Sequence, residues 1–217
     1  MSAYAWVNAL GGLLIVTSTM VVLARSVKKS AILYALQSFV LVLLLVSLAF
    51  ATDSEVLFMW SASAFITKVV LVPGMLLFLQ RKLGADSQDL GERLSPFKSI
   101  TLIALEVLIC FAAIQGVDLY TAAEVKPALA ISLAHFFIGL TCIVSQRNIV
   151  KQIFGYCLME NGSHVTLALL APQAPELVEI GIATDAIFAV LIMVLMVLKI
   201  YKTTKTLDTR DLMELRG

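Results

Sequence analysis

The feature that most limits how this chain can fold is a succession of apolar runs, each about 20 residues long, parted by short polar connections. A helix needs about 20 apolar residues to cross the hydrocarbon core of a bilayer, and tilt absorbs small mismatches. Seven runs meet that length, over residues 3–24, 31–51, 56–79, 99–117, 127–145, 149–171 and 177–200. Only Gln146, Arg147 and Asn148 part the fifth from the sixth. The composition agrees: 60% of residues are hydrophobic and only 14% charged, where soluble domains carry about a quarter. The expected fold is an all-α integral membrane bundle of about seven transmembrane helices. It forms one membrane domain over residues 1–217, with four spans in 1–126 and three in 127–217. The first run has no basic flank before it and no small-residue cleavage site after it, so it is expected to stay as a span.

Charge gives the expected orientation. Short cytoplasmic connections collect Lys and Arg. Alternate connections hold Arg25, Lys28 and Lys29; then Arg81, Lys82, Arg93 and Lys98; then Arg147 and Lys151; then Lys199, Lys202, Lys205, Arg210 and Arg216. All but two of the 16 basic residues fall there. The opposite connections hold Lys126 and the acids Asp53, Glu55, Asp118, Glu124, Glu176 and Glu179. This predicts the N-terminus outside and the C-terminus in the cytoplasm. The polar stretch 80–97, with Gly84, Gly91 and Pro96, reads as a cytoplasmic loop with a helical turn, placed to touch a soluble partner. A net charge of +1 gives no pointer to nucleic acid. Cys110, Cys142 and Cys157 lie inside apolar runs without metal or redox spacing, and read as buried small hydrophobes.

Six titratable residues stand well inside the runs: Lys68, Glu106, His135, Glu160, His164 and Asp185. A charge facing hydrocarbon costs about 2.5–3.5 kcal/mol even on a lenient scale. These side chains must therefore face protein or water. At 1.5 Å per residue from the cytoplasmic end, Lys68, His135 and Glu160 fall about 16 Å deep, Glu106 about 10 Å, and Asp185 and His164 about 21 Å. Such a layer suits a proton or cation path, since burial disfavours a carboxylate and a nearby ammonium favours it. Static ion pairs that glue helices are the plainer reading of any one pair. Three acids and one lysine cannot all pair, however.

Around Lys68, the small residues Ser61, Ala62, Ser63 and Ala64 allow close helix approach. Pro73 and Gly74 predict a kink one turn beyond the lysine. In the sixth run Cys157, Glu160, Asn161 and His164 share a helical face, so Glu160 and His164 are placed to share a proton. The same two residues also suit a metal, though two ligands make a poor site. His135 and His164 offer a second alternative, axial ligation of a b-type haem. No Ser/His/Asp set, HExxH or phosphate loop occurs, which argues against an enzyme. No internal repeat pairs two half-sites, which argues against a self-sufficient transporter.

The run from Ile138 through Gln146-Arg147-Asn148 to Gly155-Tyr-Cys-Leu-Met-Glu-Asn-Gly-Ser-His164 resembles component E of hydrogenase-4. So do Ser61–Lys68, Lys126–Ala130 and Glu176–Phe188, and the likeness covers nearly the whole chain. More distantly, the last three runs resemble the K subunit of respiratory complex I and its counterpart in multisubunit cation/proton antiporters. The shared features are Arg147-Asn148, Gly155, Asn161, an acid early in the last run and the tail Met213-Glu-Leu-Arg-Gly217. In that subunit two glutamates belong to a hydrophilic axis. Asp185 stands at the second site. Cys157 stands at the first, with Glu160 one turn on as a shifted equivalent. Lys68 and Glu106 have no counterpart there.

The resemblance implies a non-catalytic subunit of a hydrogenase-4 or formate hydrogenlyase type complex in the cytoplasmic (inner) membrane of a prokaryote. Its partners would be antiporter-like and quinone-site-like membrane subunits, a soluble hydrogenase arm reached through the cytoplasmic loops, and lipid. The nickel-iron site and iron–sulfur clusters would lie in partner subunits, with no cofactor in this chain. The membrane arm would couple hydrogen metabolism to proton or sodium movement. The rival role is a structural or assembly subunit, bridging antiporter-like subunits with no ion path of its own.

Overall fold

The computed structural model describes residues 3–84, 94–117 and 123–213. Its helices are α1 (Ala3–Leu23), α2 (Val27–Thr52), α3 (Glu55–Ala64), α4 (Val72–Leu83), α5 (Pro96–Gln115), α6 (Lys126–Ser145), α7 (Ile149–Leu170), α8 (Glu176–Thr204) and α9 (Thr209–Met213). A π-helical segment, Phe65–Leu71, joins α3 to α4, so the three form one rod over Glu55–Leu83. The described residues form no strand beyond an isolated bridge between Asn148 and Asp208.

Among the described residues, six helical stretches are long and apolar enough to cross a membrane: Tyr4–Leu23, Val27–Thr52, Glu55–Leu83, Pro96–Gln115, Lys126–Ser145 and Glu176–Thr204. The sequence suggests a seventh, and α7 is the difference. It has 22 residues, but Lys151, Gln152, Glu160, Asn161, Ser163 and His164 lower its hydropathy. Its polarity is largely sheltered, because Lys151, Asn161 and His164 are all buried. Antiparallel to α6, it packs along the whole helix. Ser132 and Thr166 hydroxyls meet at 2.8 Å near one end, and the Cys142 thiol donates to the Lys151 carbonyl at 3.7 Å near the other. Between them the two backbones nearly touch. A Cβ on Gly155 would stand 2.8 Å from the Gly139 carbonyl oxygen, and one on Gly162 2.8 Å from the Phe136 Cα. Glycine is what permits this approach.

Helix starts are written by local capping. The side chains of Ser26, Ser54, Ser95 and Asn148 accept hydrogen bonds from first-turn N–H groups of α2, α3, α5 and α7. Capping by Ser26 starts α2 at Val27 rather than 31, which places Lys28 and Lys29 on its first turn. α8 runs on to Thr204, so Lys202 stands on the helix rather than beyond it.

Around Lys68, just ahead of Pro73, the helix is deformed. Pro73 has no N–H, and its ring would press on the carbonyl one turn back. The chain widens there instead, with the Val72 N–H reaching five residues back to the Thr67 carbonyl. Lys68 lies inside this wide turn and is fully buried.

The two ends of the bundle differ in charge. The Ser54 hydroxyl donates to the Pro172 carbonyl at 2.6 Å, tying the α2–α3 turn to the α7–α8 turn. Exposed acids at these turns are Asp53, Glu55 and Glu176, with Glu124 before α6. Exposed bases at the other end include Arg25, Lys28, Lys29, Arg81, Lys82, Lys98 and Lys202. Two charges assigned to connections from the sequence are buried instead. Lys151 reaches the end of α1, where its ammonium donates to the Val21 and Val22 carbonyls at 2.8 and 3.4 Å and to Ser30 Oγ at 2.9 Å. Glu179, in the first turn of α8, is 4% exposed. Arg93, Asp118, Arg216, residues 85–93 of the polar stretch 80–97 and the tail 214–217 lie outside the described residues.

Candidate functional site

Lys68 is held by two neighbouring residues of α7. Its ammonium donates to Glu160 Oε2, forming a buried ion pair, and to Asn161 Oδ1 at 2.9 Å. The π segment delivers the lysine and α7 delivers both acceptors. An ion taken out of water costs several kcal/mol, so a second polar partner for Lys68 matters. Glu160 Oε1 has no hydrogen-bond partner among the described residues.

From Asn161 a polar chain crosses the bundle. Asn161 Nδ2 donates to Gln37 Oε1 at 2.9 Å, with Tyr34 Oη and Ser38 Oγ each 3.4 Å away. Gln37 Nε2 lies 3.3 Å from His135 Nε2, and His135 Nδ1 lies 2.8 Å from Ser18 Oγ. Ser18 Oγ donates to the Leu14 carbonyl at 2.6 Å. This fixes every direction. An amide nitrogen can only donate, so His135 Nε2 accepts. The Ser18 proton is used on Leu14, so His135 Nδ1–H donates to Ser18. Hence His135 is neutral with its proton on Nδ1, and neither nitrogen is open to an iron. All donors in the chain point from Lys68 toward α1. Its two amides fix neighbours in place and do not pass protons on, because neither carries a titratable proton.

The other titratable residues gather elsewhere. A groove of about 290 Å³ runs between α7 and α8, lined by Tyr156, Met159, Glu160, Ser163, His164, Leu167, Ile182 and Asp185. The structure thus brings Glu160, His164 and Asp185 to one space, with Lys68 behind Glu160. Asp185 is exposed on the groove's α8 wall, facing Tyr156 across it. Glu160 and His164 lie one turn apart, but each has a different partner: Glu160 takes Lys68, and His164 Nε2 lies 3.0 Å from Glu179 Oε2. That second pair is close enough for an ion pair but is not aligned as a hydrogen bond. The Trp60 ring lies against His164 with centroids 5.6 Å apart.

Glu106 stands apart. It accepts from Thr141 of α6, and its Oε2 has no partner among the described residues. No group of three or more His, Cys, Asp or Glu placed to hold a metal occurs among the described residues. Sequence reasoning passed over Gln37, Ser18 and Tyr34, and read Glu179 as a loop acid. For Tyr34 and Gln37 the signal was present: with Ser38 they recur at helical spacing inside an apolar run, whereas Ser18 has no such pattern.

A helical bundle with six membrane-length apolar stretches and a buried ion pair at its centre is a multi-pass membrane protein with a polar interior. It belongs to the hydrogenase-4 component E family. The chain is 53% identical over 181 residues to "Hydrogenase-4 component E" of Escherichia coli (strain K12), with 82% of each chain covered. The same figures hold for the proteins of that name from Escherichia coli O157:H7 and Shigella flexneri. The family model for NADH-ubiquinone/plastoquinone oxidoreductase chain 4L matches residues 127–217, the α6–α9 region. No solved structure matches the chain.

Proposed function

We propose that this chain is a non-catalytic membrane-arm subunit of a hydrogenase complex of the hydrogenase-4 kind, and that the α7–α8 groove forms part of a proton or cation path through it. The single observation that carries the reading is the groove itself: Glu160 on one wall, tied to buried Lys68, and exposed Asp185 on the other. An ionisable group at membrane depth is expensive and marks function by default. Glu160 keeps one oxygen without a partner among the described residues, beside a space large enough for water. Lys68 donates to its other oxygen. Glu106 stands apart against α6, whereas His164, in the same groove, joins the path as a further proton site. His135 belongs to it only as an anchor, because both its nitrogens are spoken for.

In this reading α7 is the seventh span, since it runs antiparallel along the full length of membrane-spanning α6. The acidic end faces outward and the basic end faces the cytoplasm of a prokaryote. That puts the N-terminus outside and the soluble hydrogenase arm against the basic connections. Nickel-iron and iron–sulfur chemistry belongs to partner subunits. The antiporter-like and quinone-site-like subunits lie alongside in the membrane. Residues 1–126 supply Lys68 with Gln37 and Ser18 of the anchoring chain, and 127–217 supply Asn161, His135 and the groove.

The test is coupled proton movement in membrane vesicles carrying the assembled complex. Glu160→Gln and Asp185→Asn should each leave hydrogen evolution from an artificial donor intact. Each should slow proton movement about tenfold or more, the effect of adding about 1.4 kcal/mol to the transfer barrier. Wild-type proton movement in both assembled variants would refute the path.

One observation favours the structural role instead. The chain Asn161–Gln37–His135–Ser18 joins α7, α2, α6 and α1 with its hydrogen bonds matched end to end, as a static clamp would. On that reading, replacing Lys68 or Glu160 disrupts assembly of the complex, and transport is lost only with it.

A further inference from the structure

The groove does not end at Glu160 and Asp185. At its α7–α8 turn end, three side chains from three helices meet in the interior: Trp60 of α3, His164 of α7 and Glu179 of α8. Their exposures are 0%, 1% and 4%. Their polar atoms lack aligned partners among the described residues: Trp60 Nε1, both nitrogens of His164 and both oxygens of Glu179. Buried polar groups are otherwise almost always satisfied, so such a cluster calls for water or a mobile proton. We infer that His164 and Glu179, with Trp60 packed against the imidazole, form a proton-binding site at this end of the groove.

In the unloaded state the site holds a neutral imidazole beside a carboxylate. One proton taken from water onto the ring gives an imidazolium beside the same carboxylate. Nothing else changes, and release returns the proton to water or to the next acceptor. Two features surround the proton: the carboxylate oxygen 3.0 Å from Nε2, and the tilted indole ring with its centroid 5.6 Å from that of the imidazole, within the range at which an aromatic ring attracts a cation. The other titratable groups facing His164 are Glu160, one turn back on α7, and Asp185 across the groove on α8. Lys68 opposes protonation from behind Glu160, and its ammonium is already engaged by Glu160 and Asn161. α3 contributes Trp60, which does not titrate. Because His164 and Glu160 line the same groove, the site feeds the path proposed above. Its role rests on that reading, while its existence does not.

Trp60 makes the site observable. The chain has two tryptophans, and the other, Trp6, is 58% exposed, so Trp6→Phe leaves Trp60 as the sole indole with little disturbance. Imidazolium quenches indole emission more strongly than neutral imidazole. In the purified Trp6→Phe chain in nanodiscs, Trp60 emission should fall in one step as pH is lowered. His164→Gln should abolish the step. Glu179→Gln should displace the step, because the carboxylate beside Nε2 is gone. Glu179→Asp should keep most of the original midpoint, and so separates charge from misfolding. A flat titration, or a midpoint that Glu179→Gln leaves unmoved, overturns the assignment. The readout is protonation and not transport, so it fails or succeeds independently of coupled proton movement.

Discussion

At the scale of single residues, the Lys68–Glu160 pair is the feature whose energetics are easiest to isolate. Both charges leave water, and their mutual attraction repays that cost only with further hydrogen bonds, one of which Asn161 supplies. Removing one partner strands the other. Lys68→Met should therefore destabilise the chain by about 3–5 kcal/mol, and Lys68→Met combined with Glu160→Met by much less. Thermal unfolding of the four members of this double-mutant cycle in detergent measures the coupling. Additive losses would show that the pair contributes no interaction energy. Both residues are plain in the sequence, because a charge inside an apolar run stands out. Asn161 is visible too, but its link to Gln37 is not, since the two lie on helices far apart in the chain.

Among the elements, α6 and α7 form the tightest seam, and its cause is the absence of side chains at Gly139, Gly155 and Gly162. A methyl at Gly155 would meet the Gly139 carbonyl and the Ile143 backbone nitrogen, each at 2.8 Å. Backbone cannot swing aside, so Gly155→Ala should cost about 1–3 kcal/mol of stability, with a lowered melting temperature. Gly181→Ala in α8 is the control. Nothing lies within 4 Å of its added methyl, so it should be neutral or stabilising by about 0.5–1 kcal/mol through helix propensity alone. Equal melting shifts for the two variants would remove the seam's special status. The helices themselves were readable from apolar run length. Their starts were less so: Ser26 extends α2 by four residues beyond the apolar run, because a capping hydroxyl rather than hydrophobicity ends a helix.

Across the whole molecule, the separation of exposed acids and bases to opposite ends predicts a fixed orientation in the membrane. A single new cysteine at Lys28 should react with a membrane-impermeant thiol reagent only from the cytoplasmic face. One at Glu176 should react only from the outer face. Cys110, Cys142 and Cys157 are buried and should stay silent, which makes the native chain its own background. Labelling of both positions from one face would remove the seven-span count and the orientation together.

Run length, helical period and the sidedness of Lys and Arg are properties of consecutive residues. They fixed the all-helical membrane class, the approximate spans and the charged positions worth attention. The tertiary structure decided which of those charges share a space. Lys151 and Glu179 look like loop charges until α1 and His164 are seen to cover them. Glu160 and His164 look like a proton-sharing pair until Lys68 and Glu179 take one each. The reason is physical: a buried polar group is defined by its partners, and in a helical bundle those partners come from other helices, at separations that no local pattern encodes.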